Sequence, residues 1–255
     1  MQRFLLLFTF LFCAAVVKAD CSGNGISCWP NTSTIKANPV FVITFYAYSQ
    51  GIVAGLNTKN AIYLRSGEQK IRLKIVEVCV GQFRLTQVIL KPGSELIPGR
   101  EYELVIDSLP AYERIQKWNK KIFKSELPKW KVLSETDTEF PTWTELPKFK
   151  SKSIIYFGCG PSLAVNFGFA AADGSELLVK TIVKNRKTGK FTTYYLDSPD
   201  NNIAVGHSMC SGAFDFDSDD EYEVSFALMD ARGNPSCLTT AAIYFTRPTA
   251  ENESK

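Results

Sequence analysis

The sequence predicts an all-β protein of two β-sandwich domains joined by a long connector rich in tryptophan, lysine and proline. Two observations carry the sandwiches. Short runs of β-branched and aromatic residues, many alternating with polar ones, recur about every ten residues in two separate stretches, as sandwich strands do. Turn-formers such as Ser66-Gly67, Pro92-Gly93 and Asp173-Gly174 separate several of these runs, and helical periodicity is nearly absent from both stretches. The third observation is the segment 111–152 between them, where this pattern breaks and three of the four tryptophans gather.

Residues 1–19 read as a signal peptide: Arg3, an apolar run from Phe4 to Val17, and Val17-Lys18-Ala19 before Asp20. The run is shorter than the roughly 20 apolar residues that a membrane-spanning helix needs, and no later window approaches that length. The expected mature chain therefore has no transmembrane segment. Cleavage after Ala19 removes Arg3 and Lys18 and no acid, so 29 basic residues become 27 against 26 acids, a net charge of +1. A nucleic-acid partner calls for a clustered basic excess and is not expected.

Cys13 leaves with the leader, and Cys21, Cys28, Cys79, Cys159, Cys210 and Cys237 remain. An even number of cysteines in an oxidising compartment favours disulfides, and the absence of a C-x-x-C pair suggests neither a zinc ribbon nor a thioredoxin-like centre. Cys159 and Cys210 flank strands of the second domain, and a bridge between them closes a loop of about 50 residues, worth roughly 4 kcal/mol in the chain-entropy model. Cys79 is expected to hold either Cys28 or Cys21, and Cys237 is left to the remaining cysteine by elimination only.

The first domain spans 20–110, with strands at VFVITF (40–45), AIYL (61–64), IRLKIVEV (71–78), FRLTQVIL (83–90) and YELVI (102–106). In the connector, 111–152, YERIQKWNKKIF suits one short helix and the rest is expected to be extended. The second domain spans 153–248 and contains SIIYF, LAVNFGF, LLVKTIV, FTTYYL, AFDF, YEVSFALM and TTAAIYF; residues 249–255 read as a disordered tail. A local repeat links the domains: PGREYELVI (98–106) and SDDEYEVSF (218–226) each run from a turn into Glu-Tyr-Glu and then alternate. Tyr102 and Tyr222 are thereby placed as tyrosine corners, ring inward and hydroxyl on nearby backbone.

KPGSELIPGREYELVI resembles a segment of bacterial Ig-like domains of the S-layer type, and WPNTSTIKANPVFVITF is similar to their first strands. YEVSFALMDARGNPSC resembles the last hairpin of bacterial Ig-like and fibronectin type III-like modules. The resemblance covers roughly 28–110 and 153–247 and implies two Ig-like or fibronectin III-like sandwiches from a bacterium. Such modules serve adhesion, spacing or ligand binding, so the fold leaves the function open.

Three constellations invite chemistry. Cys210 with His207 has the residue types of a cysteine hydrolase, but three positions apart along a strand they need not face each other. Asp215, Asp217, Asp219, Asp220 and Glu221 have the alternating oxygens of a calcium loop; the sixth position, however, is Asp220 rather than glycine, and the twelfth is Phe226 rather than glutamate. Phe214 and Phe216 alternate with Asp215 and Asp217 as in a strand with one wet face. Asp230, Gly233 and Asn234 read as a turn in which the carboxylate bonds local amides and the other two take left-handed dihedrals. Catalytic residues, metal ligands and cofactors are thus not expected.

The remaining candidate is a partner surface in the connector: Trp118, Trp130 and Trp143 with Lys120, Lys121, Lys129 and Lys131. Flat aromatics beside cations suit a protein partner, a sugar face or an anionic polymer; the other reading is that the tryptophans are buried as glue between the domains. Taken together, the sequence predicts a non-catalytic exported protein, periplasmic or on the cell surface, that binds an unknown protein or glycan or acts as a spacer. The alternative is an accessory module or weakly recognisable hydrolase acting on a cell-envelope or glycan substrate through the acids between Asp215 and Asp230.

Overall fold

The computed structural model describes residues 21, 23–120, 122–218, 220–239 and 241–249. The expected leader, Lys121, Asp219 and residues 250–255 of the expected tail lie outside the described residues. No helix among the described residues is long and apolar enough to cross a membrane.

The N-terminal strands are β1 (Asn24–Trp29), β2 (Thr34–Ala37), β3 (Phe41–Ala47), β4 (Ile62–Ser66), β5 (Gln69–Val80), β6 (Leu85–Pro92), β7 (Glu101–Ile106), β8 (Ile115–Asn119), β9 (Lys124–Glu126) and β10 (Lys129–Thr136). They form one sheet in the order β2-β10-β7-β4-β5-β6-β3-β1-β8-β9. The sheet doubles over at β5, whose Gln69–Arg72 pair with β4 while Leu73–Val80 pair with β6, with a register break between Ile75 and Glu77. A bulge of this kind bends and twists a strand, so one sheet supplies both layers. Phe41, Ile43 and Phe45 of one layer meet Ile62, Leu64, Tyr102, Leu104 and Trp130 of the other in a single core.

The C-terminal strands are β11 (Thr142–Phe157), β12 (Gly160–Ala172), β13 (Leu177–Asn185), β14 (Phe191–Leu196), β15 (Asn202–His207), β16 (Glu221–Asp230) and β17 (Ile243–Thr246). Two sheets, β11-β12-β15 and β14-β13-β16-β17, face each other. Their core is aromatic: Phe167 meets Phe226 with ring centroids 5.1 Å apart, and Phe216, Tyr222 and Phe245 stack beside them. β11 pairs along its whole length with β12 alone, through three register breaks.

Three expectations are corrected. The segment 111–152 is sheet rather than connector: β8, β9 and β10 belong to the first sheet, and Thr142 onward belongs to the second sandwich. The expected helix at 112–123 is a strand and a turn, because Ile115, Lys117, Trp130 and Val132 face inward. A lysine at an inward position hid that alternation. Lys117 is 3% exposed and donates through Nζ to the carbonyls of Thr32 (2.8 Å) and Lys129 (2.7 Å), 5.2 Å from the Trp130 ring centroid. Burial holds its ammonium pKa below the ordinary lysine value. Residues 213–216, expected as a strand, run outside any ladder, although Phe214 and Phe216 are buried and Asp215 is exposed, as their alternation implies.

Candidate functional site

The outer faces of β3 and β6 decide how the two sandwiches relate. Side chains alternate across a strand, so the apolar runs in VFVITF and TQVIL place residues on both faces. Phe41, Ile43, Val88 and Leu90 enter the first core, while Val40, Val42 and Ile89 join Trp29 and Cys79 in the core of the second sandwich. The two sandwiches therefore share apolar packing. At its centre the Gln87 side chain, 5% exposed, acts as a strand neighbour to β14: Nε2 donates to the Tyr195 carbonyl at 2.9 Å, and the Tyr195 N–H donates to Oε1 at 3.0 Å. The Tyr195 hydroxyl donates to Glu77 at 2.8 Å, and Lys180 lies 3.5 Å from the same carboxylate. Burial, with Glu77 adding to it, pushes the neighbouring Cys79 thiol up to about 12.

Polar contacts close the rim of this seam. Asn31 donates from its backbone N–H (2.7 Å) and its side-chain amide (3.0 Å) to Glu176, and Lys120 bridges Glu176 (3.4 Å) and Asp197 (3.2 Å). The N–H of Val40 donates to the Ala231 carbonyl at 2.7 Å. At the opposite end Phe83 and Gly212 exchange backbone hydrogen bonds of 3.1 and 2.8 Å, and Cys21 is bonded to Cys210 across 189 residues. Gly212 allows this approach, since any Cβ there would collide with His207.

That bridge overturns the expected pairings. Cys210 is joined to Cys21 rather than to Cys159, because the chain near residue 21 reaches the turn after β15. Cys28 and Cys79 point into different cores, Cys28 into the first and Cys79 into the second, so they are not bridged. Burial raises the Cys28 thiol to about 12 as well. Cys159 and Cys237 carry thiols, Cys237 on the surface.

With its sulfur in a disulfide, Cys210 offers no thiolate. An acid meets the imidazole: His207 Nε2 lies 3.4 Å from Asp215, its Nδ1 lies 2.8 Å from the Ser208 carbonyl, and its ring stands edge-on to Phe83. These contacts fix the histidine as part of the seam. Of the described acids in the calcium-like stretch, Asp220 and Glu221 have separate partners. Asp220 accepts from Asn185 (2.7 Å) and Lys187 (3.0 Å), which hold its pKa below the usual carboxylate value, and Glu221 pairs with Arg186.

Asp230 accepts from the N–H groups of Arg232 (3.0 Å) and Asn234 (2.7 Å), and Gly233 has φ of 84°. Asn234 is not left-handed, a correction to the expected turn. The carboxylates of Asp137, Asp173 and Asp230 lie within 4.8 Å of one another, close enough for a hard divalent cation. Lys36 Nζ, 3.1 Å from Asp137, and the Arg232 guanidinium on the Asp137 carbonyl supply positive charge there. Burial raises the Asp230 pKa.

Tyr102 and Tyr222 are buried, and each hydroxyl accepts from the backbone N–H five residues upstream, Ile97 at 3.2 Å and Asp217 at 2.7 Å. The tryptophans are dispersed. Trp130 is 0% exposed in the first core and donates to the Pro30 carbonyl at 3.0 Å, and Trp143 packs against Phe169 of the second. Trp118 alone of the three is exposed, at 45%. Lys129 and Lys131 lie on β10, Lys129 half-buried and Lys131 exposed, and Lys120 is tied into the seam. Trp118 opens a hairpin, β8–β9, that also exposes Ile122 (52%), Phe123 (76%) and Leu127 (59%) with Lys124. Sequence reasoning missed these three apolar residues, although IFKSEL following KWNKK was the signal that could have found them.

No family model matches the chain, and no curated protein matches it. Among solved structures it is similar to the N-terminal part of the bacterial S-layer protein SbsC, at 13% identity over 87% of this chain and 44% of that one, with a TM-score of 0.26. It is similar to tandem Ig repeats of Dlar at 12% identity over 84% and 95%, with a TM-score of 0.26. Pullulanase type I from Bacillus subtilis str. 168 matches at 8% identity over 89% of this chain, with a TM-score of 0.25, and the chain spans 24% of its length. Likenesses of this size say nothing about function.

Proposed function

We propose that this chain is a non-catalytic exported binding protein, periplasmic or on the cell surface, whose two sandwiches act as one rigid body and whose β8–β9 hairpin meets a protein or glycan partner. The observation that carries the proposal is the exposure of Trp118, Ile122, Phe123 and Leu127 around one short hairpin at the end of the first sheet. Clustered exposed apolar groups mark interaction sites, and tryptophan is enriched among binding hot spots. The turn also holds Phe123 at φ of 51°, a backbone conformation that bulky residues seldom adopt. Export is supported by the apolar run Phe4–Val17 and by the Cys21–Cys210 bridge, since disulfides persist in oxidising compartments.

The test uses a glycan and peptidoglycan array together with purified envelope proteins, probed with the unaltered chain and with a Trp118→Ser, Phe123→Ser double variant. The expected result is a ligand whose binding falls about tenfold or more in a variant with an unchanged unfolding midpoint, as loss of one hot spot produces. Equal binding by both proteins would remove the hairpin from the reading. Turnover of an offered substrate would remove the non-catalytic assignment.

A further inference from the structure

The sulfur atoms of Cys21, Cys159 and Cys210 lie within 4.8 Å of one another, and all three residues are partly exposed to solvent. Two of them form the bridge and the third keeps its thiol. Cys159 sits in the two-residue turn joining β11 to β12, whose last paired residues are Phe157 and Gly160. Cys210 sits in the turn after β15, held by Ser208, whose hydroxyl accepts from the N–H groups of Cys210 and Ser211. Both turns belong to the second sandwich, whereas Cys21 leads into β1 of the first.

We propose that these three cysteines form a thiol–disulfide exchange centre in which the bridge moves between Cys21–Cys210 and Cys159–Cys210. The Cys159 thiolate attacks the Cys210 sulfur, a Cys159–Cys210 bond forms, and the Cys21–Cys210 bond breaks with its electron pair leaving on Cys21. The Cys21 thiolate takes up a proton from water, matching the one Cys159 gave up. No oxidant or reductant is consumed, because exchange between a thiolate and a neighbouring disulfide conserves both. The two isomers differ in what they tie. Cys21–Cys210 fastens one sandwich to the other, whereas Cys159–Cys210 staples two turns of the second sandwich and releases Cys21 as a thiol. Exchange thereby removes the covalent part of the seam and leaves its apolar packing in place.

The test is carried out on the full mature chain, purified without reductant. Protein held at pH 5 and at pH 8.5 is acid-quenched, its thiols are capped with N-ethylmaleimide after unfolding, and the bridges are mapped by non-reducing peptide analysis. The thiolate rather than the thiol is the attacking species, so exchange runs faster at the higher pH than at the lower one. The expected result is both bridges at pH 8.5, with the maleimide that falls within the trio shared between Cys159 and Cys21. Cys159→Ser should retain Cys21–Cys210 and leave Cys21 unlabelled, and Cys21→Ser, incubated with oxidised glutathione as the two-electron oxidant, should form Cys159–Cys210. Within the trio, label confined to Cys159 at pH 8.5, with Cys21–Cys210 as the sole bridge, would overturn the proposal, as would a glutathione-oxidised Cys21→Ser chain in which Cys159 and Cys210 are both labelled.

Discussion

Replacing Gln87 by leucine removes the two hydrogen bonds that join the sandwiches at their centre while keeping a side chain of similar size. The Tyr195 N–H and carbonyl, which those bonds satisfy at 3.0 and 2.9 Å, then lie without partners on a residue that is only 6% exposed. Each buried backbone group left unsatisfied costs about 1–3 kcal/mol, and the added apolar surface offsets part of the sum, so a net loss of about 3 kcal/mol is expected. The assay is urea unfolding followed by tryptophan fluorescence. With an m-value of about 3 kcal/mol/M, the midpoint should fall by about 1 M with unchanged slope. Because the two sandwiches share apolar packing, both proteins should unfold in one transition. Gln87→Glu adds a check of direction. Its carboxylate opposes the Tyr195 carbonyl at pH 7, whereas near pH 4, around the ordinary glutamate pKa of about 4.3, the protonated acid can donate to that carbonyl. Its deficit relative to the unaltered chain should therefore shrink on acidification. A Gln87→Leu midpoint lowered by less than about 0.3 M would refute the reasoning, because two stranded amide groups cost more than that shift represents.

Two further outcomes are expected. Tyr102→Phe and Tyr222→Phe should each lose about 1 kcal/mol, and alanine at either site about 3–5 kcal/mol, measured by chemical denaturation; similar losses within each pair follow from the matching hydrogen bonds five residues upstream. Cys28 and Cys79, with thiols raised to about 12 by burial, should resist iodoacetamide in the folded protein at pH 8 while the exposed Cys237 reacts, and all three should react after unfolding, as mass spectrometry of the labelled peptides would show.

Much of the architecture is legible where a strand has one dry face or two. The residues of β3, β4, β14 and β16 announce themselves as alternation or as continuous apolar runs, and the paired Glu-Tyr-Glu motifs mark both tyrosine corners. What stays hidden involves polar residues doing interior work. Lys117 breaks the alternation of β8 because its ammonium is satisfied by two carbonyls, a partnership that only the folded chain creates. Gln87 carries the corresponding sign in plain view, as a long polar side chain beside Thr86 in TQVIL, a run buried on both faces. The cysteine pairing was beyond reach for another reason. Spacing along the chain favours short loops, whereas the bridge that forms spans 189 residues and depends on how the sandwiches dock. The exposed hairpin is half visible, since residue type singles out Trp118 but gives no means of separating it from the buried Trp130 and the half-buried Trp143 nearby in sequence.

β11 runs for 16 residues and, among the described residues, pairs on one side of its backbone alone; such a border ordinarily invites another chain to add a strand. Here Pro147 withholds a donor, Lys148 and Lys150 project into solvent, and three register breaks twist the ladder out of flatness. A proline, solvated lysines and a twisted ladder are the features that blunt a border, and they lie on the same strand as the exposed rings of Phe149, Tyr156 and Phe157.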